Sequence, residues 1–209
     1  MIFREIDKYS SAPKMKKSRS LVLGPARQST SEDGEQILEL TVHTCPSLLC
    51  RDLVKIFPDQ AELFKSVRAR SLDGNPKTSY LFVIPTFQPT WCDMLEFTPE
   101  SEHRKDFLLN TFMQFARELC EKLGRLGCWA DFADPVTGYP MNSTQGGILY
   151  SDVDACELLL KYKIELVCNT CRIVSHPEWK TSVYPATCFA VATLEQIQSV
   201  LLDMGISVK

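Results

Sequence analysis

Hydrophobic positions recur at regular intervals through most of this 209-residue chain, but not in its first 35 residues. Residues 1–35 are polar and basic and have no hydrophobic period, a pattern that predicts a disordered arm. From residue 36 onwards, runs with strand character alternate with runs at helical spacing. The pattern therefore predicts one α+β domain over residues 36–209, in which helices flank a mixed or antiparallel sheet.

Helical spacing is clearest in four segments. The first begins around Thr44-Cys45-Pro46, where Thr44 or Cys45 can cap a helix and proline suits the first turn, and ends at Pro58-Asp59. The second begins at Thr98-Pro99-Glu100 and stops at Gly127. Its apolar stripe consists of Leu108, Phe112, Phe115, Leu119, Leu123 and Leu126. Two shorter helices are predicted over residues 152–162 and 194–204.

Strand character marks the segments between the helices. Residues 63–71 and 79–87 flank the turn signal Asp73-Gly74-Asn75-Pro76, and together they predict an antiparallel hairpin. Further strands are predicted over residues 36–43, 128–132, 165–175 and 183–193. The segment Asp134-Pro135-Val136-Thr137-Gly138 predicts a turn, followed by a loop over residues 139–147.

Charge is distributed unevenly along the chain. Residues 1–31 hold seven basic and two acidic residues. Of the totals of 23 basic and 26 acidic residues, 16 basic and 24 acidic residues therefore lie in residues 32–209, so a basic arm precedes an acidic body. The basic arm predicts either an organelle-targeting segment or a plain disordered tail. An isoelectric point near 5.7 argues against a protein that neutralises nucleic-acid phosphates. No run approaches the ~18–20 uncharged apolar residues of a membrane span, so we expect neither nucleic acid nor a membrane as partner.

Nine cysteines are the unusual feature of the composition. An odd number cannot all pair within one chain, their spacing is irregular, and no apolar secretory segment precedes them. Unpaired cysteine behaves as a small apolar residue, so core packing is the expected role of most of them. The pattern indicates a reducing compartment, and we expect a cytoplasmic location, with a mitochondrial one in addition if the arm is a targeting segment.

The usual signatures of enzymes are missing from the sequence. It contains no Walker-type phosphate loop, no G-x-G-x-x-G after a strand, no G-x-S-x-G and no H-E-x-x-H. Asp131 and Asp134 could act as a carboxylate pair in acid–base chemistry. However, Asp134 stands before Pro135 with Gly138 following, which is typical of a turn, and we favour the turn.

The sharpest candidate site is Cys168-Asn169-Thr170-Cys171, with Arg172 and His176 close behind it. This spacing permits a zinc half-site with scattered further ligands, a redox-active pair, or an exposed thiolate that binds a soft metal centre or forms a mixed disulfide. Arg172 and His176 would favour the thiolate over the thiol. Two buried strand cysteines explain the spacing equally well.

Three motifs stand in order between about Gln36 and Thr193. The first is Thr44-Cys45-Pro46-x-Leu48-Leu49-x-x-Asp52 with Phe57-Pro58, and the second is Trp129-Ala130-Asp131-Phe132-x-Asp134-Pro135-x-x-Gly138. The third is Cys171-Arg172-Ile173-Val174 with His176-x-x-Trp179-x-Thr181. In residues and spacing they resemble motifs of the CblD family, named for methylmalonic aciduria and homocystinuria type D, and the second motif is the most specific.

This resemblance implies a fold like that of the flavin nitroreductase superfamily, but a non-enzymatic protein without flavin. It also implies a cobalamin-processing partner, CblC, and a role in directing cobalamin to methionine synthase or to mitochondrial methylmalonyl-CoA mutase. A cysteine thiolate of the family can coordinate the cobalt of cobalamin. Matching of the downstream residues assigns this role to Cys171, with Cys168 as the second thiol, because Thr170 stands where vertebrate members have a cysteine adjacent to Cys171.

A soft thiolate suits cobalt in a corrin ring as an axial ligand. In the resulting hypothesis of a trafficking adaptor, Trp129 is a core or interface aromatic residue, and the turn from Asp134 to Gly138 shapes the scaffold. The alternative function is that of a thiol-disulfide enzyme using Cys168 and Cys171, or of a flavin-dependent, nitroreductase-like oxidoreductase.

Overall fold

The structure is a computed structural model that describes residues 21–29, 37–68, 75, 77–168 and 171–206. Its strands are β1 (Leu21–Ser29), β2 (Ile37–Thr44), β3 (Ser79–Pro89), β4 (Trp129–Phe132), β5 (Lys163–Val167), β6 (Cys171–Ser175) and β7 (Val183–Thr193). Its α-helices are α1 (Ser47–Ile56), α2 (Ala61–Arg68), α3 (Pro99–Arg125), α4 (Asp152–Leu160) and α5 (Leu194–Asp203). Within the described ranges, no helix combines the length and apolarity that crossing a membrane requires.

Five strands form one antiparallel sheet in the order β1-β2-β3-β7-β4. The central pair, β3 and β7, is hydrogen-bonded along all eleven residues of each strand. Strands β5 and β6 form a separate antiparallel hairpin. The predicted α+β class is confirmed, and the main sheet is antiparallel, one of the two types expected. The similarity to the nitroreductase fold stays a prediction.

Helices cover both faces of the main sheet. Because side chains alternate between the faces of a strand, Phe82 and Ile84 of β3 pack with α3 and α5, whereas Leu81 and Val83 pack with α1, α2 and α4. A third, smaller cluster around Phe87 joins the sheet to α4 and to the β5–β6 hairpin. The hairpin is therefore attached to the body of the domain by apolar packing at its base.

Helix α3 is the longest element and begins as predicted. The hydroxyl of Thr98 accepts a hydrogen bond from the backbone N–H of Ser101 (3.1 Å), and the Ser101 hydroxyl accepts one from the Thr98 N–H (2.9 Å), which completes a capping box. Gly127 follows the helix with φ +74°, a conformation that other residues rarely adopt. The predicted apolar stripe is buried except for Leu126, which is 49% exposed because the helix ends at Arg125.

Residues 63–68 are helical, so the predicted hairpin with residues 79–87 is wrong for this stretch, and residues 69–71 of the predicted strand lie outside the described residues. Phe64 and Val67 lie three positions apart, and both are buried in the same core cluster. This spacing places two side chains on one side of a helix but on opposite faces of a strand. Strand β3 forms as predicted, but its partners are β2 and β7.

Residues 21–29 form β1, so the predicted disorder of residues 1–35 is wrong for this stretch. The strand pairs with β2, and Leu23 and Ala26 pack in the core. Its register shifts between Leu21 and Leu23 and again between Leu23 and Ala26. Such irregularities break the two-residue alternation by which a strand is identified in a sequence. The rest of the predicted arm lies outside the described residues.

Two further boundaries differ from the predictions. The strand expected over residues 165–175 is divided into β5 and β6, and the turn between them begins at Cys168. Neither Thr44 nor Cys45 caps α1, because the cap position is Pro46, which has no side-chain donor or acceptor. The turn from Asp134 to Gly138 and the helices near residues 152–162 and 194–204 are confirmed.

The packing of α3 against the sheet makes a direct prediction. Leu119 has no exposed surface and lies in the core cluster between α3 and the sheet. Leu119→Ala should lower the free energy of unfolding by about 2–5 kcal/mol, because it leaves a cavity. Leu126→Ala, at the exposed end of the same stripe, is the matched control and should change it by about 0.5 kcal/mol or less. Urea unfolding followed by circular dichroism measures both, and equal losses would contradict this packing.

Candidate functional site

The two cysteines of the candidate motif lie at the end of the β5–β6 hairpin. Val167 and Cys171 are the last cross-strand pair, and Cys168 begins the connecting turn with φ +48°. Asn169 and Thr170 lie outside the described residues. All nine cysteines are thiols, and Cys168 and Cys171 are the two that are exposed. The prediction that most cysteines pack inside the domain is confirmed, whereas burial of this pair is excluded.

Burial makes several of the other cysteines poor sources of thiolate. It raises the pKa of Cys120 to about 12 and raises the pKa of Cys128, Cys156 and Cys188 as well. The thiolate is the form that attacks disulfides and binds metal ions. Solvent access therefore separates Cys168 and Cys171 chemically from these thiols.

Alternation along β6 directs Cys171 away from the body of the domain. Val174, three residues later, is buried in the cluster that attaches the hairpin to β3 and α4. Cys171 is an odd number of residues from Val174 and therefore lies on the opposite, outer face of the hairpin. Ile173 and its cross-strand neighbour Glu165 share this outer face.

Arg172 lies on the inner face of the hairpin and is held by α4. Its guanidinium forms ion pairs with Asp154 and with Glu157, the latter at 2.6 Å. The expectation that Arg172 favours a thiolate at Cys171 is therefore wrong, because the guanidinium is directed towards two carboxylates on the other face. Its role in this geometry is to brace the end of the hairpin against α4.

His176, directly after β6, is buried among polar partners. Its Nδ1 accepts hydrogen bonds from the backbone N–H groups of Glu178 (3.2 Å) and Trp179 (3.4 Å). This pattern assigns the ring proton to Nε2, which donates it to Oε1 of Glu39 at 3.2 Å. His176 is thus engaged by Glu39 and by two backbone N–H groups at the base of the hairpin, five residues from Cys171.

Arg27 completes this arrangement, which we call the hairpin clamp: Arg27, Glu39, His176, Glu178 and Trp179. The Arg27 Nε donates to Glu39 Oε2 (2.7 Å), its Nη2 pairs with Glu178, and its guanidinium lies 4.9 Å from the Trp179 ring centre. The Trp179 and His176 rings are stacked, with centres 4.4 Å apart. The clamp joins β1 and β2 to the segment that leads from the hairpin into β7.

Burial by itself would raise the pKa of Glu39, but the hydrogen bonds from His176 and Arg27, together with the positive charge of Arg27, outweigh it and lower the pKa below its ordinary value. Glu39 and Arg27 are the residues of the site that sequence reasoning missed. In β2, Glu39, Thr41 and His43 alternate with apolar residues, which is typical of a solvent-exposed strand face. The structure buries this face instead, and burial lowers the pKa of His43 to about 4.

A surface groove of about 580 Å³ lies on the α4 side of the hairpin. It is lined by α1, by residues 148–151 and by α4, and its lining includes Asp154 and Glu157, the two partners of Arg172. Leu48 and Leu149 contribute exposed apolar surface to it. Two carboxylates of this groove thus hold Arg172, the neighbour of Cys171.

Asp131 and Asp134 organise loops rather than a catalytic pair. The carboxylate of Asp131 accepts hydrogen bonds from the N–H groups of Asn142 (2.9 Å) and Ser143 (2.8 Å). The carboxylate of Asp134 accepts from the N–H of Val136 (3.1 Å) and the hydroxyl of Thr137 (2.6 Å). The favoured interpretation as a turn is confirmed for Asp134.

The other residues of these motifs also belong to the scaffold. Trp129 is partly buried and packs edge-on against the core residues Phe57 and Phe64, with ring centres 5.4 and 4.9 Å apart. A Cβ at Gly138 would lie 2.5 Å from the carbonyl oxygen of Tyr150, which explains why glycine stands there. In the described part of the chain, no three His, Cys, Asp or Glu residues are grouped to hold a metal ion.

Sequence comparisons place these motifs in a family. The family model described as "Methylmalonic aciduria and homocystinuria type D protein" matches residues 13–201. The chain belongs to this family. Two relatives, each named "Cobalamin trafficking protein CblD", from Mus musculus and Rattus norvegicus, are both 29% identical over 158 residues, which is 76% of this chain and 48% of the relative.

The relative of the same name from Homo sapiens is 29% identical over 156 residues, which is 75% of this chain and 47% of that protein. The chain thus spans about half the length of the curated CblD relatives it matches. The resemblance in the three motifs is confirmed at the level of the family.

The hairpin clamp predicts a pH-dependent stability. Because the pKa of Glu39 is lower in the folded protein than its ordinary value of 4.5, ionised Glu39 stabilises the fold above pH 4.5. This stabilisation is lost as the pH falls through the lower pKa of the folded state. Glu39→Gln should therefore lower the free energy of unfolding at pH 7 by about 1–3 kcal/mol, since it weakens two charge-assisted hydrogen bonds. As the pH falls below 4.5, the free energy of unfolding should also decrease less steeply in this variant than in the wild type.

Glu178→Gln is the matched control, because Glu178 pairs with the same guanidinium but is 37% exposed. It should cost about 1 kcal/mol or less and leave the pH dependence unchanged. Chemical unfolding of both variants between pH 3 and 7 provides the comparison. An unchanged acid limb for Glu39→Gln would show that Glu39 is not the group whose ionisation stabilises the clamp.

Proposed function

We propose that this protein is a non-enzymatic adaptor in cobalamin trafficking that offers the thiolate of Cys171 to the cobalt of cobalamin. The observation that carries the proposal is the position of Cys171 and Cys168, the two exposed cysteines of the chain, at the end of a braced hairpin in a member of the CblD family. The curated relatives bear the name of trafficking proteins. Cobalamin is the cargo in this proposal, not a resident cofactor.

Ligand exchange at cobalt needs a soft, accessible donor. Cys171 loses its proton, and the sulfur replaces an axial ligand of the cobalt. The outer face of the hairpin suits this exchange, because Cys171 is directed away from α4 and from the apolar cluster at the hairpin base. Protonation of the sulfur favours release, since a thiol is a much weaker ligand than a thiolate.

A braced hairpin reduces the entropy that is lost when a partner engages its end. The clamp around His176 holds its base, and the ion pairs of Arg172 hold it near its end. We propose that the partner is a CblC-like cobalamin-processing protein, which carries the corrin ring to the exposed sulfur. The destinations are methionine synthase and methylmalonyl-CoA mutase, so the adaptor acts in the cytoplasm and in the mitochondrion, and no flavin is required.

The thioredoxin-type alternative is disfavoured by local geometry. In that chemistry the reactive cysteine stands at the N-terminus of a helix, whose dipole stabilises the thiolate. Here Cys168 lies in a turn and Cys171 begins a strand. A yellow, flavin-loaded preparation of the purified protein would instead favour the flavin-dependent oxidoreductase.

Visible spectroscopy tests the proposed ligand. The reduced protein is mixed with a CblC-like protein and cobalamin, and the cobalt–thiolate absorption is recorded for the wild type and for Cys171→Ala, Cys168→Ala and Cys128→Ala. Cys171→Ala should abolish this absorption, because no sulfur remains at the strand start. Cys128→Ala is the matched control, because Cys128 is a partly buried thiol before β4.

Cys168→Ala should retain the absorption, because Cys168 is only the second thiol. If Cys171→Ala keeps the full absorption and Cys168→Ala loses it, the ligand is Cys168 and the assignment is wrong. If the wild type shows no cobalt–thiolate absorption at any ratio of the two proteins, the adaptor proposal itself fails.

A further inference from the structure

We infer that Cys168 and Cys171 form a redox-sensitive pair, whose oxidation to a disulfide across the end of the β5–β6 hairpin withdraws the thiol that binds cobalt. The consequence for cobalt rests on the proposed function. The pairing itself rests on the position of the two residues in the hairpin and on their exposure. The inference assigns to Cys168 a role of its own, namely to control the availability of its neighbour.

The hairpin brings the two cysteines within reach of each other. Val167 is the cross-strand partner of Cys171, and Cys168 is the next residue along the chain. Cross-strand partners in an antiparallel pair have Cα atoms about 4.5–5.5 Å apart, and consecutive Cα atoms are about 3.8 Å apart, so the separation of Cys168 and Cys171 is limited to that of neighbouring positions at the paired strand ends. Disulfides in proteins join Cα atoms about 4.4–6.8 Å apart. A disulfide therefore closes the hairpin end without separating β5 from β6.

Exposure makes Cys168 and Cys171 the preferred targets of oxidation among the nine cysteines. A dissolved oxidant reaches Cys168 and Cys171, whereas Cys50, Cys92, Cys156 and Cys188 are buried and the remaining three are partly buried. Attack on a disulfide requires a thiolate that solvent can reach. Oxidation under mild conditions should therefore be confined to the hairpin and leave the core packing intact.

Glutathione disulfide is an oxidant of the required class. The thiolate of one cysteine attacks it, forms a mixed disulfide and releases one glutathione thiolate. The thiolate of the second cysteine then attacks the protein sulfur of that mixed disulfide and releases the second glutathione thiolate. The two protons of the protein thiols end on the two glutathione molecules. Two cysteines are oxidised, one glutathione disulfide is reduced, and excess reduced glutathione reverses both steps.

The neighbouring thiol decides which product accumulates. A single exposed cysteine would keep glutathione as a mixed disulfide, whereas a second cysteine three residues away displaces it. Oxidised wild-type protein should therefore carry an internal disulfide and no glutathione. Cys168→Ser and Cys171→Ser should each retain one bound glutathione under the same conditions, because the resolving thiol is absent.

Mass spectrometry of the intact chain tests the pairing. The reduced protein is equilibrated with glutathione disulfide, the remaining thiols are alkylated, and peptides are mapped without reduction. We expect wild type and the control Cys128→Ser to lose two hydrogen atoms through a Cys168–Cys171 link. A stable glutathione adduct on wild type, or a disulfide that involves any other cysteine, would overturn the inference.

A second measurement tests the consequence for cobalt. Reduced, oxidised and re-reduced wild-type protein are each mixed with a CblC-like protein and cobalamin, with excess oxidant removed beforehand. We expect cobalt–thiolate absorption from the reduced and the re-reduced protein, and an absorption at least tenfold smaller from the oxidised protein. An undiminished signal from the oxidised sample would refute control by the disulfide. If the reduced protein shows no such absorption, the proposed function is refuted, and so is the control of cobalt binding by the disulfide. The peptide map still decides whether Cys168 and Cys171 form the disulfide.

Discussion

The pairing of β3 with β7 is the interaction on which the rest of the domain depends. The two strands are hydrogen-bonded along their entire length and lie at the centre of the sheet, so their side chains are buried on both faces. This double burial requires helices on each side, and α3 with α5 and α1 with α2 and α4 supply them. Because β7 follows directly after the hairpin segment, this pairing also determines where the exposed cysteines emerge.

A small polar cluster determines the orientation of the β5–β6 hairpin, which apolar packing attaches to the domain. Apolar packing around Phe87 attaches the hairpin but has little directional preference, whereas the hydrogen bonds of His176 and the ion pairs of Arg172 have strict geometry. The clamp also recruits β1, an edge strand, through Arg27. The hairpin is therefore oriented by residues from three distant parts of the chain.

Solvent access determines which of the nine cysteines pack in the core and which can react. Burial keeps several of them protonated and out of reach, which suits a packing role. The two at the hairpin end are exposed: Cys168 directly follows β5, and Cys171 begins β6 on the face opposite Val174. A soft ligand for cobalt and a thiol pair that responds to the redox state have the same structural requirements.

Local patterns in the sequence determined the elements whose signals are local. The α3 stripe, the Thr98 cap, the turn after Asp134 and the strand character of β2 and β7 follow from propensity and period alone. The sequence also singled out Cys168 and Cys171 by spacing. Only the tertiary structure decided that α2 is a helix, that Arg172 and His176 face away from Cys171, and that Glu39 is buried. Those outcomes depend on contacts between residues far apart in the chain, as in the pair Glu39 and His176, and no local period encodes them.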